Sequence, residues 1–179
     1  IKHLLNHTGG LPDYMDLMDS LFDKSKIATN KDIVDLFSKH NPKILFEPNT
    51  KWEYSNTGYA FLASIIEKVS GTSYGNYLQK AIFKPLEMNN TFVYTRRFAP
   101  KKISNYAFGY IYSDSLKKYI LPDELEETKM VIWLDGIVGD GTVNSTVNDL
   151  LKWDRALYTE KLVSSESKKE IFSAVELNN

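Results

Sequence analysis

The sequence predicts a mainly α-helical protein with a small antiparallel β-hairpin, an α+β fold. Three observations lead there. Apolar residues recur at three- and four-residue spacing in most segments, typically opened by Ser, Thr or Asp and closed by Gly, Asn or Pro. Alternation at the two-residue period is clear in one stretch, Tyr106, Phe108, Tyr110 and Tyr112, which a polar turn at 113–117 joins to a returning segment at 119–121. At 179 residues, 42% hydrophobic and 25% charged, the chain has side chains enough for one core and needs no second domain.

Residues 1–7 read as the end of a helix, stopped by Gly9-Gly10 and Pro12. His3 and His7 stand four apart, the spacing of two metal ligands on one helical face. Leu4 occupies the place of the zinc-protease Glu and no third ligand follows, so they read as a structural pair and no metal is expected. Tyr14, Leu17, Met18, Leu21 and Phe22 keep a helical stripe. Asp13, Asp16 and Asp19 lie off it, where acidic groups near a helix start favour the dipole and stay solvated. A helix over 29–38 opens with Thr29 and Asp32 at capping-box spacing, turns Ile33, Val34, Leu36 and Phe37 inward and closes at Asn41-Pro42. Pro48-Asn49 turns the chain into Tyr54-Ser55-Asn56. An amphipathic helix follows, with Leu62, Ile65, Ile66 and Val69 on one face and Gly71 as its left-handed cap.

Ser73 caps a further helix through Phe83, with Tyr74, Tyr77, Leu78 and Ile82 on its face and Pro85 at its end. Residues 91–95 form a short strand. The aromatic alternation of the hairpin has little positive charge around it, so it reads as a packed face or cleft wall rather than a base-stacking platform. Glu124, Glu126 and Glu127 read as a solvated loop, since nothing fixes the separation a glycosidase acid–base pair requires. Gly136, Gly139 and Gly141 lie in a loop without a phosphate-binding pattern. Thr146 and Asp149 cap a helix carrying Val147, Leu150, Leu151, Trp153 and Leu157, and Ser164 or Ser165 starts the last one.

Composition narrows the function classes. A net charge of −1 gives no electrostatic case for nucleic acid. The absence of cysteine excludes disulfides, thiol nucleophiles and thiolate metal sites. No apolar run reaches the length of a membrane span, and no signal-peptide pattern is present.

Chemistry concentrates at Tyr54 to Asn56. A phenol and an amide on a short connection are open to a ligand while the helix behind fixes their position. By itself the tripeptide reads more readily as a buried ring with a capping Ser or Asn. Its surroundings change that reading. Residues 1–14, IKHLLNHTGGLPDY; residues 46–91, which contain the YSN; and residues 139–158, GDGTVNSTVNDLLKWDRALY, form three blocks in fixed order. Together they resemble the serine β-lactamase and penicillin-binding protein superfamily, in the class C-like branch with D-Ala-D-Ala peptidases and esterases. Gly9, Thr142 and Asn144 depart from the usual pattern.

The resemblance implies the helical lobe of the β-lactamase/transpeptidase-like fold, and residues 1–179 as a partial domain of a longer enzyme. It implies acyl transfer, in which the serine of a Ser-x-x-Lys motif attacks a carbonyl and a Lys-Thr-Gly or His-x-Gly strand completes the oxyanion hole. Carried over residue by residue, Tyr54 is the general base and acid and Asn56 binds substrate, a small molecule or peptide. No cofactor is implied. The intact parent is expected to be secreted, periplasmic or membrane-anchored. This chain, lacking both flanking motifs, is expected to be inactive alone and to expose an apolar Tyr54 side that could drive self-association. Ser115-Leu116-Lys117-Lys118 and Ser165-Glu166-Ser167-Lys168 also spell Ser-x-x-Lys. Chance gives about one or two such matches in a chain with 15 Ser and 19 Lys, and both follow Tyr54 in polar surroundings. His7-Thr8-Gly9 spells His-x-Gly but belongs to the opening block. The competing reading is a helical binding module that has lost its chemistry.

Overall fold

The computed structural model describes residues 1–178. Helix α1 (Lys2–Leu5) is shorter than its sequence pattern, because Asn6 ends it and His7 turns into the left-handed region at φ 58°. Helix α2 (Tyr14–Leu21) starts where the Asp13 carboxylate accepts the Met15 N–H at 2.9 Å, which makes one of the three aspartates a cap. Helix α3 (Asn30–His40) opens on the Thr29–Asp32 box, with Asp32 accepting from the Thr29 N–H at 2.8 Å and its hydroxyl at 2.7 Å. Helix α4 (Asn56–Ser70) is capped by the Ser55 hydroxyl, which accepts the Gly58 N–H, and stops at left-handed Gly71. Helix α5 (Tyr74–Leu78) runs into a π turn at Gln79–Phe83, where the Lys84 N–H reaches back to the Gln79 carbonyl. Pro85 forbids continuation.

Strand β1 (Phe92–Val93) is followed by the hairpin β2 (Ile111–Ser113) and β3 (Lys118–Ile120), in which Ile111 lies opposite Ile120. The strand holds only the end of the aromatic alternation. Tyr110, Tyr112 and Tyr119 are exposed, so the row is largely open to solvent instead of forming a packed face. Glu124, Glu126 and Glu127 lie exposed on and beside two short 3-10 turns, Pro122–Glu124 and Glu126–Thr128, in keeping with a solvated segment. Helix α6 (Met130–Trp133) is too short for a periodic pattern to reveal. Strand β4 (Val143–Asn144) returns to pair antiparallel with β1, and α7 (Val147–Leu157) and α8 (Ser165–Ile171) follow, capped by Thr146 and Ser164.

Two apolar clusters hold these elements. One gathers Met18, Ile33, Ala60, Trp133 and Ile137 around α2, α3 and α4; the other gathers Leu78, Phe83, Met88 and Ala156 between α5 and α7. Packing corrects several of the expected faces, and Leu21 of α2 and Tyr77 of α5 are among the stripe residues left exposed. Helix α4 buries Thr57, Gly58, Ala60 and Ala63, while Leu62, Ile65 and Ile66 are half-buried and Val69 is exposed. Close approach is the cause: a Cβ on Gly139, at φ 105°, would lie 2.5 Å from the Tyr59 carbonyl oxygen and 2.6 Å from the Ala63 Cβ. The glycine-bearing loop lies directly on α4 at Tyr59 and Ala63, and α1 crowds the same helix at Gly58, where a Cβ would stand 3.3 Å from the Leu4 carbonyl oxygen. Helix α7 turns Asp149, Trp153 and Ala156 inward and leaves Val147, Leu150 and Leu151 exposed; Val34 of α3 is also outside.

Buried polar groups tie the layers together. Asn30 donates to the Ala60 and Val138 carbonyls and accepts the Val138 N–H, each at 2.8 Å. Asp149 accepts the Asn90 N–H at 2.7 Å, the Thr91 hydroxyl at 3.0 Å and Lys152 Nζ at 2.9 Å. Burial pulls the Asp149 carboxyl up, but these partners prevail and hold it below the ordinary range. Arg97 bridges Asp123 and Asp135, and Arg96 also reaches Asp123. Hydrogen bonding to Arg97 is the chief reason that the Asp123 carboxyl is lowered to about 2.

Two predictions concern stability. Asn30→Ala strands three backbone groups and is expected to cost about 3 kcal/mol in urea unfolding. The folded Asp123 titrates below its ordinary value of 3.8. Its contribution is therefore complete above that value and disappears as pH falls toward about 2. Asp123→Asn should lower stability at neutral pH and flatten the acid limb of the stability–pH curve over that window.

Candidate active site

The segment that delivers Tyr54 has no regular structure of its own, so its backbone donors need acceptors elsewhere. They find them in the 7–10 loop. The Leu45 N–H donates to the Gly10 carbonyl at 2.8 Å, Asn49 to Thr8 at 2.8 Å and Glu53 to His7 at 2.9 Å. The Ser55 N–H donates to His7 Nδ1 at 3.1 Å. Gly10 is required for this approach: its φ is 67°, and a Cβ there would stand 2.1 Å from the Phe46 carbonyl oxygen. Thr8 is fully buried with its hydroxyl 3.2 Å from His3 Nδ1. The two histidines thus do not share a helical face; each has its own partner.

Helix α4 carries the other half of the site. Thr57, wholly buried, donates to the Pro12 carbonyl at 2.8 Å and accepts the Tyr14 N–H at 2.8 Å, which fixes the first turn of α4 to the start of α2. The Tyr14 hydroxyl donates in turn to Asp140 at 2.7 Å. Burial drives both the Tyr14 phenol and the Asp140 carboxyl upward, and the Asp140 charge adds to the Tyr14 shift. This pair anchors the 139–141 loop behind α4.

Tyr54 projects from this frame with 62% of its surface exposed. Its ring lies 4.6 Å from the His7 ring at 34°, and His7 is backed by Tyr59 at 5.1 Å and the edge of Trp52 at 6.1 Å. Among the described residues nothing hydrogen-bonds the Tyr54 hydroxyl or the Asn56 side-chain amide. Asn56 is the first residue of α4 and half-buried, while Ser55 serves as its cap. A free phenol and a free amide two residues apart can exchange a proton and hold a polar carbonyl or amide. Lys51, three residues from Tyr54, is paired with Glu53 at 2.6 Å.

The two Ser-x-x-Lys matches lie elsewhere. Ser115 meets Ser113 in the hairpin turn at 3.1 Å. Ser165 bonds Glu160, and Lys168 donates to the Thr159 carbonyl at 2.9 Å. Among the described residues no serine hydroxyl is hydrogen-bonded to a lysine. Sequence reasoning set His7 aside, although the structure places it against Tyr54. The available signal was a histidine, a residue relatively tolerant of positive φ, followed directly by Thr-Gly-Gly.

Comparison with known proteins agrees with this architecture. The family model described as Beta-lactamase matches residues 1–178. Penicillin-binding protein 4* of Bacillus subtilis is 54% identical over 179 residues, covering 100% of this chain and 40% of that protein. A penicillin binding protein from Bacillus halodurans superposes with a TM-score of 0.76 at 27% identity, over 97% of this chain and 50% of the other. D-amino acid amidase from Ochrobactrum anthropi, solved with L-phenylalanine amide, gives 0.67 at 29% identity, over 94% and 46%. The chain therefore spans half or less of the length of these proteins. With a family match over nearly every residue and a mainly helical fold shared with penicillin-binding proteins, this chain belongs to the β-lactamase family.

Proposed function

We propose that residues 1–179 form one folded unit, the helical part of a serine acyl-transfer hydrolase acting on a β-lactam, peptide, ester or amide. In this reading Tyr54 passes the proton between the nucleophilic serine and the leaving group, and Asn56 holds the substrate's amide. The observation that carries it is the presentation of Tyr54: an exposed phenol on a segment clamped to the 7–10 loop, with the unbonded Asn56 amide at the adjoining helix start. The named relatives support the acyl-donor class, one being a penicillin-binding protein and another an amidase.

Phenols ionise near pH ~10 in water, so proton acceptance at neutral pH requires positive charge beside the ring. In the resembled pattern that charge and the nucleophile come from the Ser-x-x-Lys segment, and the oxyanion donors from the nucleophile's own N–H and a later strand. The isolated chain is accordingly proposed to be inactive. Leu5 and Trp52, which join the Tyr54 surroundings through Tyr59 and His7, are 50% and 57% exposed, which fits a face covered in a longer protein.

Hydrolysis of a chromogenic cephalosporin, a nitrophenyl ester and D-phenylalanine amide tests the proposal, using this chain and a longer protein carrying both flanking motifs. Only the longer protein is expected to act, and Tyr54→Phe is expected to lower its kcat by about 10²–10⁴-fold. Turnover by the 179-residue chain would contradict the reading. The exposed face further predicts concentration-dependent association of this chain in sedimentation velocity, weakened by Leu5→Ser with Trp52→Ser.

A further inference from the structure

Tyr54 is gripped on both sides by a single residue. The amide before its neighbouring peptide, that of Glu53, donates to the His7 carbonyl at 2.9 Å, and the amide after it, that of Ser55, donates to His7 Nδ1 at 3.1 Å. The His7 ring also lies against the phenol ring, 4.6 Å away at 34°, with Tyr59 5.1 Å away on the same imidazole. The left-handed backbone of His7, φ 58°, lets its carbonyl and its ring address the same segment. No hydrogen bond to the phenol oxygen competes with this hold among the described residues.

We propose that His7 is a positioning residue for Tyr54: as a neutral imidazole protonated on Nε2, it accepts the Ser55 N–H through Nδ1 and sets where the phenol stands. The functional consequence rests on the proton-transfer reading of Tyr54. The tautomer follows from the contact, because a protonated Nδ1 cannot accept an amide N–H. A second proton on the ring turns that contact into two opposed donors. The Ser55 side of the turn is then released, while the Glu53 side, held by a carbonyl, stays.

The groups around the imidazole leave this contact in control. The 51–55 segment contributes the Tyr54 phenol and the Lys51–Glu53 pair, α4 contributes Tyr59, and α1 contributes His3, which lines the same small cavity. The Tyr59 hydroxyl is committed to the Leu5 carbonyl at 3.0 Å and His3 Nδ1 to Thr8. Neither member of the Lys51–Glu53 pair bonds the His7 ring.

The test is an NMR titration of the isotope-labelled chain between about pH 8 and 5, the range in which imidazoles change charge. The His7 ring, the Ser55 and Glu53 amides and the Tyr54 ring protons are followed together. The Ser55 amide and Tyr54 ring resonances are expected to move with the His7 titration, and Ser55 to lose exchange protection at its acid end while Glu53 keeps it. His7→Phe, which retains a ring without an acceptor, should abolish the pH dependence and expose the Ser55 amide at every pH. His7→Asn, which offers an acceptor and tolerates positive φ, should restore Ser55 protection without pH dependence. Ser55 resonances that stay flat through the His7 titration, or that follow His3, overturn the proposal. The wild-type titration stands even if a variant fails to fold. It also needs no turnover, so it can fail while Tyr54→Phe still lowers kcat in the longer protein, or hold while Tyr54 proves dispensable.

Discussion

The structure around the site depends on one constraint: the irregular 45–55 segment must satisfy its backbone amides away from any sheet or helix of its own. The 7–10 loop meets that need with three carbonyls and one imidazole nitrogen. The loop can do so because Gly10 admits the Phe46 carbonyl where any side chain would collide, and because His7 adopts positive φ. From that pairing follow the fixed entry into α4, the Ser55 cap and the outward stance of Tyr54. Thr57 repeats the connection one turn further on, bonding residues on both sides of the α2 start.

Burial of polar groups in this chain is consistently matched by partners, and among the described residues no buried side-chain N or O atom is left without one. Asn30 joins α3 to α4 and to the Val138 backbone, Asp149 joins α7 to the turn before β1, and Tyr14 joins α2 to Asp140. Each connects segments distant in sequence, so each fixes tertiary arrangement as well as local structure. Tyr54 and Asn56 differ: among the described residues their side chains stay unbonded, while the Glu53 and Ser55 amides on either side of Tyr54 are held by His7. That combination of a rigid frame and free functional groups is the one the proposed function requires of a phenol and an amide that meet a ligand.

Helix positions were legible in the sequence because the signals are local. Thr29 and Asp32, Ser55, Gly71, Ser73 and Thr146 act at the termini where their spacing placed them. The faces of α4 and α7 were less legible. Hydrophobicity pointed to Leu62, Ile65, Ile66 and Val69, but α1 at Gly58 and the 139–141 loop at Tyr59 and Ala63 press so closely on α4 that small residues form the buried side, a fact set by segments distant in sequence. The β1–β4 pairing was hidden for the same reason, since two-residue strands carry no period. The Tyr54–Asn56 motif and its two flanking blocks were visible, whereas the contact of His7 with the Tyr54 segment was not. Its contact spans 48 residues, and its spacing from His3 suggested a helical pair, whereas α1 ends at Leu5, between the two histidines.

Amide hydrogen exchange at Leu45, Asn49, Glu53 and Ser55, measured residue by residue at neutral pH, tests most directly whether the 7–10 loop holds the Tyr54 segment. Four protected amides that open together are predicted, with a common loss of protection in Gly10→Ala, where the Phe46 carbonyl has no room. Exchange at the rate of a free loop, or protection that survives Gly10→Ala unchanged, would contradict the clamp and with it the placement of Tyr54.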